Sequence, residues 1–68
     1  MTRLDINGET AEIAAATVAE LLAERGIDPH ARFLAVAVNG RVVRRAEWPG
    51  APIATGDKVE IVRPLQGG

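Results

Sequence analysis

The sequence predicts an α+β fold in which one helix packs across a single mixed sheet. Three observations carry this reading. Two Asn-Gly dipeptides, at 7–8 and 39–40, are flanked by alternating apolar residues. One short segment between them has helical apolar spacing. The chain has 68 residues, room for one domain and one core.

Leu4 and Ile6 alternate with polar neighbours, Asn7-Gly8 follows, and Ala11 and Ile13 alternate again. This predicts a first hairpin over about residues 2–14, with Asn-Gly supplying the two positive φ angles of a type I′ turn. Thr17 stands three positions before Glu20, Val18, Leu21 and Leu22 form one apolar stripe, and Gly26 follows. Capping box, stripe and glycine stop predict a helix over about 17–25, with Glu20, Glu24 and Arg25 toward water. After Asp28-Pro29, Leu34, Val36 and Val38 alternate with Ala35 and Ala37 as far as Asn39-Gly40, and Arg41–Arg44 reads as the returning strand. Residues 45–55, holding Trp48, Pro49, Gly50 and Pro52 with Ile53 as a buried anchor, read as a loop with room for one helical turn. Gly56-Asp57 then turns into a last strand, Lys58–Val62.

The order β-β-α-β-β-β can bury the helix stripe only against one sheet, with the first and last strands side by side in its middle. That is the ubiquitin-like β-grasp arrangement. The division expected is a domain over residues 1–63 and a flexible tail over 64–68. Leu4, Ile6, Ile13, Leu34, Val36, Val38, Val59 and Ile61 are expected to face the helix. Ala35, Ala37, Val62 and one of Val42 or Val43 are expected on the open face. With Arg41 and Arg44 at its fringe, that shallow, partly apolar face has the character of a docking surface.

Twelve of the hydrophobic residues are alanine, so bulky apolar volume rests on five Ile, five Leu, seven Val, Phe33, Trp48 and Met1. Such a small aliphatic core predicts modest stability. A net charge of -1 gives no general attraction to phosphate backbones or anionic lipid, so nucleic acid and membrane are not expected partners. With no cysteine there is no disulfide framework or thiolate metal site, and no metal is expected. The longest apolar run, Phe33–Val38, is six residues, and no signal-peptide pattern opens the chain; a cytoplasmic location is expected. Without serine or tyrosine, and with a single histidine, the nucleophile-and-base pairs of hydrolases cannot be assembled. The chain therefore reads as a protein acted upon, not an enzyme.

The group left for chemistry is the α-carboxylate of Gly68, the last residue of the sequence. Five residues beyond Arg63, extended at ~3.3–3.6 Å each, span roughly 17 Å. Gly67 and Gly68 carry no Cβ and fit a slot too narrow for other residues, the alternative reading being a frayed end without function. A partner that transfers AMP from ATP to this carboxylate makes a mixed anhydride, which a sulfur nucleophile can open. The expected site is therefore Gly68, with Leu65, Gln66 and Gly67 entering the partner and Ala35, Ala37, Arg41 and Val62 as candidate docking residues. Leu65 reads as an anchor in the partner's groove or as an idle surface residue. Pro64 reads first as a strand terminator. Trp48 reads as a lid over the core, with partner anchoring as the alternative; His30 reads as a surface-loop residue. Arg41, Arg44 and Arg45 read as a solvated edge or a docking fringe.

The run Val36-Ala37-Val38-Asn39-Gly40-Arg41-Val42-Val43-Arg44-Arg45-Ala46-Glu47-Trp48, the segment Gly56–Val62 and the ending Gln66-Gly67-Gly68 closely resemble the ThiS family, sulfur carriers of thiamine biosynthesis. The resemblance covers nearly the whole chain. Arg44 departs from the proline of many relatives, and Pro64 is atypical. The resemblance implies a cycle. A ThiF-like adenylyltransferase activates Gly68 with ATP and Mg, sulfur from a cysteine desulfurase yields a Gly68 thiocarboxylate, and a ThiG-like thiazole synthase takes the sulfur. No cofactor is implied on this chain itself. A sulfur carrier for molybdopterin or another product, and a ubiquitin-like modifier or interaction module, stand as alternatives.

Overall fold

A computed structural model describes residues 1–63. Strands β1 (Thr2–Ile6) and β2 (Glu9–Ile13) form an antiparallel hairpin, helix α1 runs Val18–Glu24, and β3 (Ala35–Val38) and β4 (Arg41–Val43) form a second hairpin. A 3₁₀ helix, Arg45–Gly50, precedes β5 (Lys58–Val62). The sheet order is β2-β1-β5-β3-β4, with β1 and β5 parallel at its centre and the other pairs antiparallel. This is the expected β-grasp, and first and last strands meet in the middle.

Both hairpins turn for the expected reason. Asn7 and Gly8 have φ of 53° and 87°, and Asn39 and Gly40 have 53° and 81°. These are left-handed values that asparagine tolerates and glycine adopts without strain.

Helix α1 begins at Thr17, whose Oγ1 accepts from the Glu20 N–H at 3.2 Å. The return half of the expected capping box lands one residue earlier, because the Glu20 carboxylate accepts from the Ala16 N–H at 2.8 Å. At the other end Gly26, at φ 72°, donates to the Ala23 carbonyl and Ile27 to the Leu22 carbonyl, at 3.1 and 2.8 Å. This Schellman closure buries Ile27 against the stripe it ends. Glu24 corrects the expectation of an idle solvent-facing residue. Its carboxylate accepts from the Ala14 and Ala15 N–H groups, both at 3.0 Å, and so ties down the connection from β2.

Val18, Leu21 and Leu22 are completely buried against Leu4, Ile13, Val36 and Val59 on the sheet. Trp48 and Ile53 close the same core from the β4–β5 connection. That connection is fixed to the start of α1 by Val18 N–H to the Ala51 carbonyl (2.9 Å) and Ile53 N–H to the Ala16 carbonyl (3.0 Å). Phe33 departs from the expectation that it adds core volume. It is 79% exposed and has a φ of 63°. The left-handed residue turns the chain so that Leu34 enters the core while the larger ring is left outside. Of the adjacent valines, Val42 takes the open face at 69% exposure, and Val43 pairs with buried Val36 on the helix side. Among the described residues, no helix is long and apolar enough to cross a membrane.

Candidate functional site

β5 delivers the chain toward its last residues from the centre of the sheet. Its end lies beside the start of β3, where Ala35 is opposite Val62, and that start also lies beside the end of β4, where Val36 is opposite Val43. On the other side β1 pairs with β5 only at Asp5 and Ile6 before the chain turns away. The side chain of Asn7 takes over from there. Its Oδ1 accepts from the Ile61 N–H at 2.8 Å, and its Nδ2 donates to the Ile61 carbonyl at 3.1 Å. One amide side chain thus continues the ladder where the backbone has left it, and holds the last stretch of strand before Val62.

The register places Ala35, Ala37, Val42 and Val62 together on the open face. Ala35 faces Val62, and Ala37 lies between Val42 and Glu60. Val62 is 59% exposed. Arg41 does not join them. It pairs with Val38, so it leaves the sheet on the helix side, and at the far end from the exit of β5. There it lines an open groove of about 780 Å³ with Val43, Ala46 and Pro52. Arg44 is exposed beyond β4, with its N–H on the Glu47 carboxylate at 3.2 Å.

Arg45 is occupied within the fold. It donates to the Ala31 carbonyl at 2.8 Å and sits 4.8 Å above the Trp48 ring, an attractive cation–π geometry. Trp48 is the lid, 3% exposed, with Nε1–H on the Val43 carbonyl at 2.8 Å. His30 is an exposed loop residue. Pro64, Leu65, Gln66, Gly67 and Gly68 lie outside the described residues.

Two residues of this region are missed by the sequence reading. Asn7 is legible as a turn former, but its grip on a residue 54 positions away has no local signal. Phe33 does have one: extending the β3 alternation backward gives it the parity of Ala35 and Ala37, the open face.

A mixed five-stranded sheet with β1 and β5 parallel at its centre and one helix packed across it defines a protein of the ubiquitin-like β-grasp class. Comparison with known proteins sharpens this. Residues 4–68 match the model of the ThiS family. The "Sulfur carrier protein ThiS" of Thermus thermophilus is 35% identical over 63 residues, covering 93% of this chain and 95% of that one. The crystal structure of a thiamine biosynthesis protein (ThiS) from Geobacter metallireducens superposes with a TM-score of 0.79 at 28% identity, covering 98% of this chain and 100% of that one. A solution structure of a thiamine biosynthesis protein from the same organism gives 0.78 at 28% identity, over 98% of this chain and 88% of the other. The chain belongs to the ThiS family.

Proposed function

We propose that this protein is a sulfur carrier of thiamine biosynthesis and that its working group is the Gly68 α-carboxylate. The observation that carries the reading is the family match, which runs through the Gly-Gly ending to residue 68 at nearly full-length coverage of a curated sulfur carrier. A carboxylate oxygen of Gly68 attacks the α-phosphorus of ATP in a partner adenylyltransferase, with Mg balancing the phosphate charge, and pyrophosphate leaves. The acyl-adenylate is then opened by a persulfide whose outer sulfur comes from a cysteine desulfurase, AMP departs, and a thiol reduces the acyl disulfide so formed, itself ending in a disulfide. The resulting thiocarboxylate donates its sulfur to a thiazole synthase.

This chain contributes reach and fit. Leu65, Gln66 and Gly67 enter the partner's slot, and Ala35, Ala37 and Val62 supply apolar surface beside the exit of β5. Arg41 stands apart from these residues, opposite Val38 on the helix side and at the other end of the β3–β4 pair. The reading includes a cytoplasmic location, where ATP and the sulfur-donating enzyme reach the carboxylate.

Intact mass after incubation with ATP, Mg, the adenylyltransferase and a sulfur source tests this, beside a variant lacking Gly68. The expected result is a gain equal to exchanging one oxygen for sulfur, absent from the variant. No gain with an adenylyltransferase active on another carrier would overturn the reading. A deletion strain that loses molybdoenzyme activity without requiring thiamine would move the sulfur to a different product.

A further inference from the structure

Phe33 combines two properties that folding does not account for. Its φ of 63° is the left-handed value that large side chains adopt at a steric penalty, and its ring is 79% exposed. Glycine or asparagine would make the same turn with less strain. The ring adds almost no burial in return. Strain held at a surface position points to a side chain retained for a contact outside the chain.

The position of Phe33 says what that contact is. It stands two residues before Ala35, which pairs with Val62 at the exit of β5. Residues 64–68 beyond that exit span at most roughly 17 Å when extended. An enzyme that closes its active site on Gly68 must therefore bring its body up to this end of the sheet. Arg32, Arg44 and Arg63 are exposed at the same end, following from their places beside the start of β3, the end of β4 and the end of β5. The single ion pair among the described residues is elsewhere, Arg3 to Glu12 at 3.3 Å. These arginines are thus available to an acidic surface in a chain whose net charge is only -1.

Building on the sulfur-carrier reading, we propose that Phe33 is the aromatic anchor by which this chain docks on the adenylyltransferase, seated in an apolar socket rimmed by carboxylates that face Arg32, Arg44 and Arg63. Burying an exposed aromatic at the centre of an interface, with charge around it, is the usual composition of an energetic hot spot.

The test measures adenylyltransferase turnover, read as ATP-dependent pyrophosphate release, against carrier concentration, together with thermal unfolding. Phe33→Gly is expected to raise the unfolding midpoint by about 4 °C, because strain is relieved. It is also expected to raise KM for the carrier about tenfold or more while kcat at saturation stays within about twofold. Phe33→Asn, which keeps the left-handed turn, should show the same KM, and Phe33→Tyr should restore it. Arg32→Glu should raise KM several-fold at low salt, with the difference shrinking at about 0.5 M salt.

An unchanged KM in both Phe33→Gly and Phe33→Asn overturns the anchor while leaving the carrier function standing. A concentration-dependent dimer by sedimentation, abolished in Phe33→Gly with KM unchanged, also overturns it by assigning the ring to a second copy of this chain. Absence of turnover with the wild-type carrier defeats the sulfur-carrier reading itself, a result distinct from either.

Discussion

The two Asn-Gly turns use the same dipeptide with nearly the same backbone angles, and both asparagines reach across to β5, at its opposite ends. Asn7 takes the N–H and the carbonyl of Ile61, one strand position before the exit. Asn39 takes the Lys58 N–H at 2.9 Å and donates to the Asp57 carboxylate at 3.0 Å, at the entry. The difference lies in what else would hold the strand. At the entry the Asn39 N–H also donates to the Lys58 carbonyl at 2.7 Å, and the Asp5 N–H to the Asp57 carbonyl at 3.0 Å. At the exit β1 has already turned away, and on that side the Ile61 groups have only the Asn7 side chain. One asparagine reinforces a ladder and the other replaces it. A turn motif can therefore be worth the same locally and differ in worth by what its side chain finds far along the chain.

The largest expected effect separates the two directly. Asn7→Gly keeps the turn's backbone freedom and removes only the side chain, which leaves two part-buried backbone groups of Ile61 without their partner. The expected loss is about 2–3 kcal/mol of unfolding free energy, measured by denaturant titration, with faster hydrogen exchange at the Ile61 amide. A loss no greater than that of the matching change at Asn39 would erase the distinction between the two turns.

The next effect tests what the turns share. Apart from the adjoining residues, neither Gly8 nor Gly40 has a heavy atom within 4 Å of where a Cβ would stand, so an alanine there meets no tertiary clash and bears only the cost of its positive φ. Gly8→Ala and Gly40→Ala are each expected to lose about 1–2 kcal/mol in denaturant titration, equal to within a few tenths. Unequal losses would show that the turns differ in backbone strain and not only in the reach of their asparagines.

Much of this is legible in the sequence, for reasons that are local. Asn-Gly between alternating residues gives both hairpins, Thr17, Glu20 and Gly26 bound the helix, and the parity of β3 and β5 sorts Ala35, Ala37 and Val62 to the open face. Where the sequence misleads, the determining interaction spans the fold or breaks the periodicity. Arg41 is expected at the fringe of the open face, but hairpin register, counted from the turn, pairs it with Val38 on the helix side. Glu24 looks idle because its backbone partners at Ala14 and Ala15 lie in a connection with no pattern. Hydrophobicity alone assigns Phe33 to the core, although a left-handed residue ahead of Leu34 exchanges which of the two side chains enters. Membership of the ThiS family is legible too, in the Val36–Trp48 run, the Gly56–Val62 segment and the Gln66-Gly67-Gly68 ending, and the family match extends over residues 4–68.

The smallest expected effect is at the entry of β5. Asn39→Gly retains the left-handed turn and the backbone bond to the Lys58 carbonyl, and loses two hydrogen bonds that are exposed to water. Water replaces an exposed partner at little net penalty, so the loss should be about 0.5–1 kcal/mol, with faster exchange confined to the Lys58 amide. Asp57→Ala removes the partner of Asn39 Nδ2 but also the acceptor of the Ala54 N–H at 2.8 Å. Its loss should therefore exceed that of Asn39→Gly, and the double variant should fall short of the sum because the two changes share one bond. Strict additivity would mean that the Asn39–Asp57 bond contributes nothing, leaving the backbone alone to hold the entry.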